Sequence, residues 1–228
     1  MNEDLREFVE KYRTLGAVLV LVVVIFFIFF TFLSQREKKD VSFKLKLFYS
    51  DMMQTMQYSV NSNGPIGEWG WGANDKTSFL NDHIINYLRV SKKCLNGESG
   101  CFPAHSYLNL RNLRTNYDLS KYPSVILQNG VSVAFKLNKG CAKNGSVCAF
   151  VFVDINGNNE PNKFGKDLFV FTIVNSNNTA FLPFKNSNDV SVFLNDKKFG
   201  CSKKADVPMY CAAYLSTTNW SIDSRYPW

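Results

Sequence analysis

The stretch DINGNNEPN sets oxygen-bearing side chains at alternate positions, Asp154, Asn156, Asn158 and Glu160, with Asp167 a few residues on. A hard cation such as calcium takes about six to eight oxygens of this kind, which makes the five residues a candidate metal site. The loop is not an EF-hand: Gly157 falls at the fourth position instead of the sixth, and Gly165 stands where the bidentate glutamate belongs. The competing reading is a turn-rich β-connection in which Asx side chains bond their own backbone.

Cysteine offers a second kind of chemistry. Cys94 and Cys101, Cys141 and Cys148, and Cys201 and Cys211 form three short-range couples. Many pairings are open to six cysteines, but sequential pairing is the economical expectation, because each couple closes a small loop of turn-forming residues. Zinc is the rival, yet the close spacings typical of zinc sites are absent. Disulfides persist in oxidising compartments, so the expectation places everything after residue 33 outside the cytoplasm.

Catalytic signatures are missing: there is no GxSxG, HExxH or P-loop, and the expected protein is not an enzyme. His83 and His105 read as ordinary polar residues. Trp69, Trp71, Trp220 and Trp228 could stack on sugars, but core packing is the better reading of residues that are highly buried on average. The triplets starting at Asn144, Asn177 and Asn219 are glycosylation sequons, of consequence only where a glycosylating pathway exists.

These residues must be positioned by a chain with a long apolar run near its N-terminus. LGAVLVLVVVIFFIFFTFL, residues 15–33, has no charge between Arg13 and Arg36 and no polar stripe. At 1.5 Å per residue, about 20 such residues cross a hydrocarbon core of about 30 Å, so the run reads as a retained transmembrane helix. It is too long for a signal-peptide core and ends in bulky Phe residues instead of a small-residue cleavage site. Flanking charge points the other way on topology. Arg36, Lys38, Lys39, Lys44 and Lys46 follow the span, against Arg6, Lys11 and Arg13 before it, which by the positive-inside rule would keep the C-terminal part in the cytoplasm. The cysteines weigh more, since long domains translocate largely regardless of flanking charge. The part beyond residue 33 carries 23 Lys and Arg against 15 Asp and Glu. That basic balance suits contact with anionic lipid or polysaccharide better than nucleic acid at an exported site.

Val41, Leu45, Phe48, Met52 and Met56 recur at helical spacing, so the helix continues past the span to about Val60 with one face for a core. NSNGPIGEWGWG is a loop, and a second helix is expected over about Lys76–Val90, capped by Asn74 or Asp75, with Phe79, Leu80, Ile84 and Leu88 inward. Beyond Tyr122 the period becomes two. SVILQNGVSVAFKL reads as a hairpin with a type I′ turn at Asn129-Gly130. AFVFVD and DLFVFTI read as strands, and NSNN as a hairpin turn before TAFLPF. The result is an α+β fold, a long N-terminal helix on an antiparallel sheet.

Several strings carry a family resemblance: YSVNSNGPIGEWGW at the helix exit, GCF at Gly100–Phe102, DINGNNEPNKFGKDLFVF at 154–171 and the closing WSIDSRYPW. Together they resemble bacterial type IV pilin-like and type II secretion pseudopilin-like proteins with disulfide-bonded heads, over most of residues 45–228. The resemblance implies a pilin-like fold and adds to the calcium expectation, since some pseudopilins bind calcium in the head. It also implies a processing site, with Gly16 ending a leader and Ala17 beginning the mature chain. The fifth mature residue is then Leu21, where the family has a glutamate that pairs with a neighbour's N-terminal amine. The expected organisation is a cytoplasmic or leader segment (1–14), a span (15–33), an amphipathic helix (34–60) and an exported head (61–228). The expected role is a minor structural subunit of a pilus or secretion-type filament, at its tip, anchored in the inner membrane with its head in the periplasm or at the cell surface. Its partners would be the membrane and other pilin-like subunits or secretion-system components, with no nucleic acid. The alternative is an anchored extracytoplasmic binding domain of the same fold that does not assemble.

Overall fold

A computed structural model describes residues 3–176, 180–185, 187 and 189–228, with side chains from Lys11 onward except Thr14. One helix, α1, runs Glu3–Asn63, and the chain forms two compact units, Met1–Asp40 and Val41–Trp228.

In the first unit the apolar run is helical and unburied on every side, as Val18, Ile25, Phe27 and Phe32 illustrate. It is the one helix among the described residues long and apolar enough to cross a membrane. Its single hydroxyl within the run, Thr31, donates back to the Ile28 carbonyl at 2.8 Å, which satisfies it without water.

In the second unit the remainder of α1 lies against a six-stranded antiparallel meander. The strands are β1 (Val90–Cys94), β2 (Ser124–Leu127), β3 (Ser132–Leu137), β4 (Val147–Asp154), β5 (Leu168–Val174) and β6 (Phe181–Pro183), in that spatial order. The predicted stripe is the buried face of α1: Val41, Leu45, Phe48, Met52 and Met56 are all in the core. Phe48 sits 5.8 Å from the ring of Phe171 on β5 and 6.1 Å from Phe181 on β6, and Tyr49 lies 4.9 Å from Trp220. The opposite face of the same stretch leaves Phe43, Leu47 and Tyr58 exposed. The arrangement is α+β, as expected.

Two local expectations are corrected. The second helix, α2, covers only Lys76–His83, capped by Asp75, whose Oδ1 accepts from the amides of Thr77 and Ser78. A 3₁₀ turn over Ile85–Tyr87 follows, and Val90 opens β1 instead of closing a helix. The reason is tertiary: β1 pairs with β2, and the Arg89 carbonyl accepts from Gln128 N–H at 2.9 Å, bonds a helix would forgo. At the β2–β3 hairpin only Gly130 has a positive φ (+84°); Asn129 does not, so the turn is not type I′. Leu127 and Val131 close a three-residue loop instead, and the Asn129 Oδ1 accepts from Val131 N–H. Strands β5 and β6 pair antiparallel as expected, while Asn177 and Asn178 of the predicted turn, and with Thr179 the whole sequon that starts at Asn177, lie outside the described residues. Two short helices were not foreseen, α3 (Val190–Asn195) and α4 (Cys211–Thr217).

The three disulfides form in the predicted sequential pairs, with Cα–Cα distances of 6.2, 4.7 and 4.6 Å. Cys141–Cys148 staples the β3–β4 connection, and Cys201–Cys211 ties the loop before α4 to that helix. Bonds of this kind fit an oxidising, extracytoplasmic location for the head.

Candidate functional site

Asp154 is the last residue of β4, flanked in register by Ser132 on β3 and Leu168 on β5. The chain then leaves the sheet, loops through residues 155–166 and returns at Asp167, whose carbonyl accepts from Ile155 N–H at 3.0 Å. The two carboxylates therefore come together at the mouth of one strand pair. Both are buried, Asp154 fully and Asp167 to 3 % exposure.

Each carboxylate oxygen already has a partner. Asp154 Oδ2 accepts from the Tyr107 hydroxyl at 2.6 Å and Oδ1 from Asn156 N–H at 3.1 Å. Asp167 Oδ1 accepts from Lys163 N–H at 2.5 Å, and Oδ2 from Asn162 N–H at 2.8 Å and from Asn156 Nδ2 at 3.5 Å. Burial pushes the Asp154 carboxyl well above the usual range, and the charge of Asp167 adds to it. Burial likewise raises Asp167 to about 6, against the pull of its backbone N–H donors. Burial first, then the charge of Asp154, raises the Tyr107 hydroxyl.

The other predicted donors do not join this pair. Asn158 is exposed and its Nδ2 donates to the Gly100 carbonyl at 2.9 Å; Glu160 is exposed and contributes its carbonyl, at 3.3 Å from Asn156 Nδ2. Two nearby oxygens that a cation would use, Asn156 Oδ1 and Asn162 Oδ1, are buried and unpartnered. Against that, no group of three or more acidic, His or Cys side chains converges among the described residues. Asp154 and Asp167 with Asn156 supply fewer oxygens than the six or so that calcium takes. The five-residue calcium set is thus not assembled, because the loop turns Asn158 and Glu160 outward while Asp154 and Asp167 spend their oxygens on the loop's own N–H groups and on the Tyr107 hydroxyl.

What the cluster does instead is hold the fold's most distinctive strings together. Gly157 has φ +69°, and a Cβ there would fall 2.9 Å from the Gly130 carbonyl, so the loop can cross the β2–β3 turn only with glycine. The Gly165 carbonyl accepts from the Tyr226 hydroxyl and from Trp228 Nε1, both at 2.6 Å, which ties down the C-terminal YPW. Asn158 reaches Gly100, next to the Cys94–Cys101 bridge. Tyr107 and the Gly165 carbonyl were not singled out from the sequence, where no spacing rule marks a partner 47 residues distant.

Of the aromatic candidates Trp69, Trp71 and Trp220 are core, and Trp228 is half-buried against it. Trp69 and Trp71 are buried and stack at 5.9 Å, with indole N–H groups donated to Gly64 and Ile66 carbonyls. His83 stacks on Trp69 at 4.8 Å and burial lowers its pKa; His105 is exposed in a separate loop. Asn144 and Asn219 are exposed, and Asn219 Oδ1 accepts from Lys46 Nζ. A groove of about 690 Å³ runs beside the exposed side of α1, between Leu47, Asp51 and Tyr58 on the helix and Arg89 and Gln128 on the sheet.

Comparison with curated proteins and with solved structures returns no match. The model of DUF6613, a family of unknown function, matches residues 31–228, which takes in the end of the apolar run, the amphipathic part of α1, all six cysteines and the Asp154–Asp167 loop. The chain belongs to that family.

Proposed function

We propose that the chain is a non-enzymatic, membrane-anchored structural subunit, a minor pilin-like or pseudopilin-like component of a type IV pilus or type II secretion-type filament. In this reading the span lies in the inner membrane and the head faces the periplasm or cell surface. The observation that carries it is the double use of α1: one helix bears both an unburied apolar run of membrane length and the stripe that forms the spine of an antiparallel, disulfide-bonded head. A separate anchor and head would need only a linker between them. A helix shared by both suits subunits that pack side by side through it, and Phe43, Leu47 and Tyr58 give that face apolar contact area.

Leu21 supports a terminal place in such a filament. A chain that starts at Ala17 presents leucine where a buried carboxylate would answer a neighbour's amine, so it suits a terminal position better than repeated use along a shaft. The test is the mass of the mature N-terminus from the native host. A chain beginning at Ala17 supports the filament reading. A chain retaining Met1 overturns it and leaves the anchored, non-assembling binding domain, for which the same helix is an anchor alone.

A further inference from the structure

A basic surface of the head is built from segments far apart in sequence. Leu108 and Arg114 form an antiparallel bridge, and Asn109 closes the tip between them, its Oδ1 accepting from the amides of Arg111 (2.9 Å) and Leu113 (3.0 Å). The tip residues Arg111, Asn112, Leu113 and Arg114 are all exposed. On one side Lys163 Nζ donates to Asn112 Oδ1, and Leu108 N–H to the Asn162 carbonyl. On the other, Asn109 Nδ2 donates to the Asp206 carbonyl at 3.1 Å, which fastens the tip to the loop between α3 and α4. In that loop Asp206 and Val207 N–H groups donate to the carbonyls of Lys197 and Lys198, and the Cys201–Cys211 disulfide closes it.

Six exposed cations lie on these two connected segments: Arg111, Arg114, Lys197, Lys198, Lys203 and Lys204. The acidic residues beside them are few. Asp206 lies 3.9 Å from Arg111 Nη2 with its side chain 73 % exposed, a weak pair. Asp196 uses Oδ1 to accept from the amides of Lys198 and Phe199. Among the described residues Leu113, 53 % exposed, is the only strongly exposed large apolar side chain outside α1.

We propose that this surface binds an acidic polysaccharide. Cations contributed by separate loops present spaced charges to an extended, flexible polyanion, and Leu113 offers the apolar contact that a sugar ring's C–H face accepts. The tip has no aromatic ring, and Phe199 in the neighbouring loop packs on Phe184 and Tyr210, half-buried, so no ring stands out to stack on nucleic-acid bases or to sit at a bilayer interface. This inference is independent of filament assembly and stands whether the mature chain begins at Met1 or Ala17.

The experiment uses the full chain in phosphatidylcholine nanodiscs, with fluorescent heparin as the probe. Binding should weaken linearly in log–log with salt, through counterion release. Arg111→Ala with Arg114→Ala, and Lys203→Ala with Lys204→Ala, should each flatten the slope by about two and weaken binding roughly tenfold at low salt. Leu113→Ala should weaken binding and leave the slope unchanged. Lys92→Ala with Lys93→Ala, on edge strand β1, should change nothing, and tryptophan-monitored urea unfolding of every variant should match the parent. Competition at equal charge by polygalacturonate, duplex DNA and phosphatidylglycerol vesicles identifies the class. Polygalacturonate as the strongest competitor supports the proposal. No binding, equal loss in the β1 variant, or stronger competition by DNA or lipid overturns it.

Discussion

Replacing Asp154 by Asn should make the head more stable at neutral pH and flatten its pH dependence. In the parent, Asp167 has its folded pKa raised to about 6 from an ordinary 3.8 by burial, and Asp154 is raised in the same sense. A carboxyl raised in the folded state binds its proton more tightly there than when unfolded. Its stabilising contribution is therefore complete below pH ~4 and is lost as pH rises through ~6. About two pKa units correspond to ~3 kcal/mol from Asp167 between those limits. Asp154→Asn keeps the shape and an oxygen for Asn156 N–H, and its amide can donate to the Tyr107 hydroxyl oxygen, so little hydrogen bonding is lost. It removes a buried carboxyl that burial, and then the charge of Asp167, make costly to ionise. Urea unfolding of the full chain in neutral detergent, followed by tryptophan fluorescence, reads the head alone, since all four tryptophans lie there. Carboxyls lowered in the fold, such as Asp75 and Asp118, bend the curve the other way, so the difference between parent and variant is the quantity to compare. The variant should gain on the parent by ~1–3 kcal/mol from pH 4 to pH 7. Parallel curves, or a variant that loses ground as pH rises, would refute the argument.

Gly157→Ala should cost roughly 1–3 kcal/mol in the same assay, because φ +69° and a Cβ 2.9 Å from the Gly130 carbonyl strain the crossing twice over. Phe48→Ala should cost about 3–5 kcal/mol by opening a cavity between α1, β5 and β6, whereas the exposed Phe43→Ala on the same helix should cost little. Millimolar calcium or EDTA should leave the melting temperature of the head unmoved; a rise with calcium that Asp154→Ala abolishes would show that the loop rearranges to gather ligands the structure keeps apart.

The loop from Asp154 to Asp167 illustrates where sequence reading stops. Alternating Asp, Asn and Glu residues describe a ligand set equally well as a turn, because both need short polar side chains close to backbone. Which one forms depends on whether the oxygens converge, and Tyr107, Gly100 and Gly130, all remote in sequence, decide that. Lys76–Val90 illustrates the same limit in secondary structure. Its apolar spacing suits a helix throughout, yet the last residues become a sheet edge because β2 offers them a ladder.

By itself the sequence determined whatever depends on composition and short periods. An unbroken apolar run specifies a helix long and apolar enough to cross a membrane, because hydrocarbon admits no unpaired backbone or charge over that length. A three-four spacing specifies the buried face of α1, the apolar runs between turn residues specify β2 to β5, which are buried on both faces instead of alternating, and short loops between cysteines specify their partners, since neighbours in the chain meet at least entropic cost. Only the tertiary structure decided that β1 exists, that the Asp154–Asp167 pair closes on itself, and that the tip carrying Arg111 is fastened to the loop carrying Lys198 and Lys204. Those outcomes rest on contacts between segments about 30 to 100 residues apart, as from Cys94 to Ser124 and from Asn109 to Asp206, and no local pattern encodes them because the energy that selects them is absent until the segments pack.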